Sequence, residues 1–385
     1  MDFNLYWLLL ALPGAFVLGW MASRMDLRQL KREDQASPQA YFKGLNLLLN
    51  EQQDKAIDAF IEAVQHDPDT SDLHFALGNL FRRRGEYERA IRVHQHLLAR
   101  ADLKRDERER AQHALAQDFM KAGLFDRAEE AFQALDGTAF STDARLALLS
   151  LHERSRNWHP AIEVAHQLEA AGTGSFSQRT AHHWCEIAHE ADARSHPEEA
   201  AQALVRAREA APQAARPLVM MGQRFMRMGQ NAEALRAWEE LLAVQPQAFA
   251  LIAMDYARCA QACEQTATAL GKLESLYAQA PSVDVLLALN ALQPDADLRR
   301  QALMTHISRQ PSLSAAQGLI RERLLTHKPL EEPEIERMQQ ALATAAQPLQ
   351  RYRCAACGFE SQHYFWQCPG CQGWDTYPPR RLEDQ

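Results

Sequence analysis

Two Cys-x-x-Cys pairs, Cys354/Cys357 and Cys368/Cys371, lie ten residues apart near the end of the chain. Pairs with this spacing can bring four thiolates around one point as a tetrahedron, the donor set that both structural zinc and iron accept. Gly358 follows the first pair, where the backbone must curl back with positive φ so that its amides face the sulfurs. Pro369 stiffens the second turn. Tyr352, Phe359, Tyr364, Phe365, Trp366, Trp374 and Tyr377 are expected to supply the small core that so short a module otherwise lacks. Metal binding at such sites contributes roughly 10–16 kcal/mol in small zinc peptides, so the module is expected to fold only around its metal. The expected cofactor is one metal ion, iron or zinc; four thiolates do not separate the two.

Other chemistry-bearing residues form no comparable pattern. Cys259 and Cys263 stand one helical turn apart without a nearby His pair, which suits packing, and Cys185 lies alone. His182, His183 and His189 have no Asp or Glu at the spacing of a zinc hydrolase. With no phosphate-binding glycine loop and no nucleophile elbow, enzyme activity is not expected. The net charge of −8 over 385 residues argues against nucleic acid as a partner, because phosphate binders carry a basic excess. Seven cysteines in a chain this long do not make a secreted disulfide scaffold, and a reducing compartment is expected.

The residues before the cysteines read as helix in repeats. Gly44, Ala56 and Ala63 are followed thirty-four residues later by Gly78, Ala90 and Leu97. Small residues at fixed places let paired helices pack closely, and prolines such as Pro68, Pro212, Pro246 and Pro281 close the second helix of a pair. This is the tetratricopeptide pattern, about seven units from residue 37 to 281. Ala128, Ala161, Ala200 and Ala234 mark later copies. The stretches Lys104–Arg108 and Gly172–Ser177 are expected to be loops between units. Residues 282–347 still look helical, in VDVLLALNAL, LRRQALMTHI and EIERMQQALATAA, and are expected to cap the array. The first helix of each unit should line a docking groove. That places Asn79, Arg82, Arg83, Arg110, Gln117, Lys121, Arg154, Gln223 and Arg227 on it, a weakly basic surface suited either to plain solvation or to an acidic segment.

At the other end, Phe3–Met21 is uncharged over nineteen residues, about 28 Å of helix and close to a bilayer's hydrocarbon thickness. Tyr6, Trp7 and Trp20 sit near its ends, as interfacial rings do. Arg24, Arg28, Lys31 and Arg32 crowd the downstream side, so an uncleaved anchor would leave the bulk of the protein in the cytoplasm. The expected organisation is an anchor at 1–22, a juxtamembrane linker at 23–36, repeats at 37–281, capping helices at 282–347 and the metal module at 348–385. The fold class is thus all-α: a tetratricopeptide helical solenoid with an N-terminal transmembrane helix and a small C-terminal rubredoxin-like or zinc-ribbon knuckle domain.

The CxxCG…CPxC arrangement resembles rubredoxin, although Gln372 replaces the glycine that usually follows the last cysteine. That departure bears on electron transfer more than on metal binding. The order of anchor, repeats and terminal CGF…WxCPxCxxW resembles the lipopolysaccharide assembly protein B family of Gram-negative bacteria over essentially the whole chain. The resemblance implies a single-pass inner-membrane adaptor. It would promote degradation of the deacetylase LpxC by the membrane protease FtsH and organise lipopolysaccharide assembly proteins. It also implies Cys354, Cys357, Cys368 and Cys371 as metal ligands. Expected partners are that protease, the lipopolysaccharide assembly proteins, the membrane and a second copy of the chain. The competing readings are a membrane-tethered electron carrier and a general repeat scaffold or chaperone with other clients.

Overall fold

The computed structural model describes Phe16 and residues 46–47, 52–66, 70–309, 312–325, 342–343 and 346–384. The expected anchor apart from Phe16, the linker, Gly44 and Pro68 of the first repeat, and most of EIERMQQALATAA lie outside these residues. Among the described residues no helix is long and apolar enough to cross a membrane. The chain divides into two compact units, one ending at Arg156 and the other beginning at Asn157.

The first unit holds α1 (Gln53–His66), α2 (Ser71–Arg83), α3 (Tyr87–Ala99), α4 (Arg105–Ala122), α5 (Phe125–Gln133) and α6 (Ser141–Arg154). Apolar residues three and four apart give each helix one buried stripe; in α2 this is Leu73, Leu77, Leu80 and Phe81. Ala56, Ala90 and Ala128 are fully buried, as helices in close approach require. Gly78 shows why its place takes no larger residue, since a Cβ there would lie 2.5 Å from the His94 ring of the next helix. One polar cluster ties three helices together. Asp118 of α4, fully buried, accepts from Arg82 of α2 at 2.9 Å and pairs with His94 of α3 at 2.5 Å. The loop expected near Lys104–Arg108 lies slightly earlier, over residues 100–104, and Arg105 already begins α4. Asp106 and Glu107 in that first turn and an Arg105–Glu109 pair at 3.0 Å favour helix there.

The second unit continues with α7 (Trp158–Ala170), α8 (Ser177–Ala193), α9 (Pro197–Ala210), α10 (Ala215–Arg227) and α11 (Asn231–Val244). A 3-10 turn, Pro246–Leu251, leads to α12 (Ala253–Ala262), α13 (Thr266–Gln279), α14 (Val283–Leu292), α15 (Ala296–Arg309) and α16 (Leu313–Leu325). Ala161, Ala200 and Ala234 are again fully buried, and a Cβ on Gly222 would overlap the Trp238 indole. Pro212, Pro246 and Pro281 each stand two residues past the end of a helix. The loop expected from Gly172 is present, with Ser177 opening α8. The core runs from Leu218 through Trp238, Phe249 and Tyr256 to Leu289. Cys185 and Cys259 are buried packing residues, and burial pushes the Cys185 thiol up to about 12.

The last element is small. Strand β1 (Tyr352–Arg353) pairs antiparallel with β2 (Glu360–Ser361), with Tyr352 opposite Ser361, and Gln367 bridges to Trp374. Tyr352, Cys354, Cys368 and Tyr377 form its buried centre, with Tyr364 and Phe365 against them. Tyr377 donates to the Phe359 carbonyl at 3.2 Å, and Tyr364 to the Tyr377 carbonyl at 3.1 Å. Downstream, Glu383 accepts from the Ser314 amide at 2.5 Å and Asp384 from the Val283 amide at 3.4 Å. Both are first-turn amides of helices (α16 and α14), so two of the donors left open by helix geometry are capped from the tail.

Candidate metal centre and its seat on the repeats

The four cysteine sulfurs lie within 4.8 Å of one another, with Cys354–Cys371 at 3.7 Å and Cys357–Cys368 at 3.6 Å. A tetrahedron with metal–sulfur bonds near 2.3 Å has edges of about 3.8 Å, so the donor set fits one zinc or iron ion. The two halves share a geometry. The Gly358 amide bonds the Cys354 carbonyl at 2.9 Å, and the Gln372 amide bonds the Cys368 carbonyl at 2.8 Å. Gly358 has φ +75° and Gln372 φ +59°. Glutamine therefore adopts the left-handed turn that glycine takes in the first half.

The protonation chemistry calls for a cation. Burial works against ionisation of Cys354, but the Thr376 hydroxyl and the amides of Cys357 and Ala356 outweigh it and bring the thiol to about 6. At Cys357 the Phe359 amide favours a thiolate, yet burial and the other three sulfurs push the group to about 12. Cys354 is thus held close to its thiolate form, whereas Cys357 keeps its proton until a cation comes among the sulfurs. Cys354 and Cys368 are buried, whereas Cys357 and Cys371 reach the surface.

The expected aromatic core is corrected in three places. Phe359 is 41 % exposed, and Trp366 and Trp374 pack against the repeats instead of inside the module. Trp374 stacks on His182 of α8 with ring centroids 4.5 Å apart and planes 16° apart. Asp375 pairs with the His182 Nε2 at 2.7 Å and accepts from Gln178 at 3.0 Å. Arg216 of α10 lies 5.9 Å from the Trp366 ring and 5.8 Å from that of Trp374, and donates to Glu186 at 2.6 Å. Further along, Arg381 pairs with Asp284 at 2.9 Å. The module is therefore fastened by stacked rings, partly buried polar pairs and tail caps. His182 thus serves the joint rather than a metal. Burial keeps its ring below the usual imidazole range despite Asp375 beside it.

The residues expected on a groove do not share one fate. Arg82 is largely occupied, bonding Asp118, Asn79 at 2.6 Å and the Ala114 carbonyl at 3.1 Å. Arg110 pairs with Asp72 at 2.9 Å and lies over Phe75. Gln117 reaches His113 at 3.4 Å, and Arg154 lies 5.2 Å from the Phe125 ring. Arg83 and Lys121 are exposed. In the second unit Gln223 and Arg227 line one pocket, with Arg227 bonded to Asp192 at 3.1 Å. Sequence reasoning weighed His182 only as a weak metal candidate and missed Arg216 and Asp375. Only the two tryptophans flanking the second cysteine pair hinted that something packs there.

A helical repeat carrying a four-cysteine knuckle defines a repeat scaffold with a metal-binding module. Residues 43–103 and 219–284 match the tetratricopeptide repeat, and residues 352–379 match the rubredoxin metal binding domain. The chain is 33% identical to lipopolysaccharide assembly protein B of Escherichia coli (strain K12), over 97% of this chain and 98% of that one. It is 27% identical to the protein of the same name from Haemophilus influenzae, over 97% of each. The chain belongs to the lipopolysaccharide assembly protein B family, whose members are assembly proteins built on tetratricopeptide repeats, scaffolds rather than enzymes.

Proposed function

We propose that this protein is an adaptor of lipopolysaccharide assembly, tethered to the bacterial inner membrane by residues 1–22 with its bulk on the cytoplasmic side. It presents the deacetylase LpxC to the membrane protease FtsH and so limits lipid A synthesis, and it gathers assembly proteins around it. The observation that carries the reading is the seat of the metal module on α8 and α10, with Trp374 on His182 and Arg216 within 6 Å of both indoles. A redox centre on a flexible tether needs no such joint, whereas a docking platform needs a fixed shape. The metal, bound by Cys354, Cys357, Cys368 and Cys371, then has a structural role, and the segment 37–281 supplies the partner face.

Reconstituted proteolysis tests this. FtsH, LpxC and full-length protein of known metal content are combined in membranes, with zinc- and iron-loaded samples compared. Zinc has no redox chemistry but takes the same thiolates, so both samples should speed LpxC loss alike. Acceleration that follows iron occupancy while the fold stays constant sinks the adaptor reading in favour of an electron carrier.

A further inference from the structure

We propose that the metal module is a strut across the second unit: with metal bound it fixes the bend of the repeats from α8 to α14, and without metal that bend is free to vary. This goes beyond the adaptor reading and holds for any client that docks on these repeats.

The module grips the repeats at two places far apart in the chain. At one end Trp374 stacks on His182 of α8, and Asp375 bonds His182 and Gln178 of the same helix. At the other, Arg381 pairs with Asp284 of α14 at 2.9 Å. Beside it Glu383 accepts from Ser312 at 3.0 Å and from the Ser314 hydroxyl of α16 at 2.7 Å. From His182 to Asp284 the chain passes through three helix pairs, α8–α9, α10–α11 and α12–α13. The module touches this span as it crosses. Trp366 packs against the core that runs from Leu218 to Leu289, and Leu251 of the 3-10 turn packs against the module's buried centre. Repeats in a solenoid contact only their neighbours, so small rotations at each step add up to the curvature of the whole. A rigid body fastened to the first and last of these steps stops the rotations from accumulating.

Metal enters because the ligands and the grip on α8 share one stretch of chain. Trp374 and Asp375 follow Cys371 at three and four residues. The Cys368 amide donates to the Gly373 carbonyl at 2.9 Å, the Ala355 amide to the Thr376 carbonyl at 2.8 Å and the Asp375 amide to the Trp366 carbonyl at 2.9 Å. Residues 373–376 are thus laced to both cysteine pairs. Asp375 stands at φ +53°, a left-handed conformation that persists in a residue with a Cβ only where its surroundings hold it. Two of the four side chains at the module's buried centre are Cys354 and Cys368, so little core remains once the sulfurs lose their common ion. Metal loss then releases α8, while Arg381 and Glu383 keep the tail on α14 and α16. The strut is cut at one end.

Distances between spin labels in the full-length protein test this, with the labels on keto amino acids so that the native cysteines stay untouched. One pair spans the strut, at the half-exposed positions Val205 of α9 and Leu298 of α15; a control pair, Val205 and Met228, lies at one end of it. With zinc bound both distance distributions should be narrow. Stripping the zinc with a chelator should about double the width for the spanning pair and leave the control unchanged, and returning zinc should reverse the effect. Trp374→Ala keeps the four ligands and should broaden the spanning pair with zinc still bound. A spanning distribution that stripping does not change overturns the strut. So does broadening that the control pair shares, which is unfolding of the repeats. If zinc-loaded Trp374→Ala keeps the narrow spanning distribution, the module does not act through α8 and the proposal falls.

Discussion

Trp374 and His182 lie face to face, 4.5 Å between ring centroids, although a long run of helices separates them in the chain. The next residue, Asp375, holds the same imidazole at 2.7 Å from 193 positions away. Two consecutive residues of the metal module thus meet on one ring that is 1% exposed.

Removing one side of this joint should separate docking from metal binding. Trp374→Ala should weaken the seat by about 2 kcal/mol, the scale expected for truncating a stacked, half-buried indole. The cysteines are untouched, so metal content should stay the same. Amide hydrogen exchange in α8 checks this: faster exchange around His182 with full metal occupancy is expected, and unchanged exchange would show that the joint is held elsewhere.

The second knuckle offers a finer test. Gln372 sits at φ +59°, where a side chain costs roughly 1 kcal/mol and a β-branched one more. Gln372→Gly should slow metal release to a chelator, and Gln372→Val should hasten it several-fold. Identical release rates for all three proteins would mean that backbone strain at this turn has no bearing on metal retention.

Acid should act on the joint through His182. Burial lowers its pKa below the free value of about 6.5, with Asp375 opposing and Arg216 and His183 adding to the shift. Below about pH 6.5 the unfolded chain takes the proton first. The stability from a neutral ring is therefore whole above that pH and is lost as pH falls through the folded pKa. Asp284, raised by burial to about 6, has the opposite sign: its protonated form is favoured in the fold, so its contribution fades as pH rises past 3.8 toward 6. A local probe is needed for that reason. The ring resonances of His182 should titrate with a midpoint under 6.5; a midpoint at or above it would contradict the burial argument.

In the first unit, charge reversal should divide residues that sequence grouped together. Arg82→Glu removes the partner of fully buried Asp118 and sets two carboxylates together, a loss of about 3–5 kcal/mol. Arg83→Glu and Lys121→Glu, at exposed positions, should stay within about 0.5 kcal/mol. Urea midpoints measure the contrast, and a small effect of Arg82→Glu would show that Asp118 finds another cation.

The repeat was legible because its signal is steric and periodic: Gly78 and Gly222 stand where a ring from the next helix leaves no room, and buried alanines recur in step. The knuckles were legible because thiolate chemistry fixes spacing. What resisted was everything that depends on contacts between distant segments. Trp366 and Trp374 have the composition of a module core, and only folding decides that they face outward to α8 and α10. Arg82 looks like a surface cation on its helix face, yet Asp118, 36 residues on, claims it. The loop placed near Lys104–Arg108 exists but lies a few residues earlier, at 100–104, because the acidic first turn from Asp106 extends α4 toward the break.

The tail caps have a consequence in time. Glu383 serves α16 from 69 positions downstream, and Asp384 serves α14 from 101 positions downstream. At a synthesis rate of about 5–20 residues per second, α14 precedes its cap by roughly 5–20 seconds. During that interval the Val283 and Ser314 amides have only water or temporary neighbours to bond. The helices beside the metal module are thus finished by residues made after it, and this end of the protein closes from its tail inward.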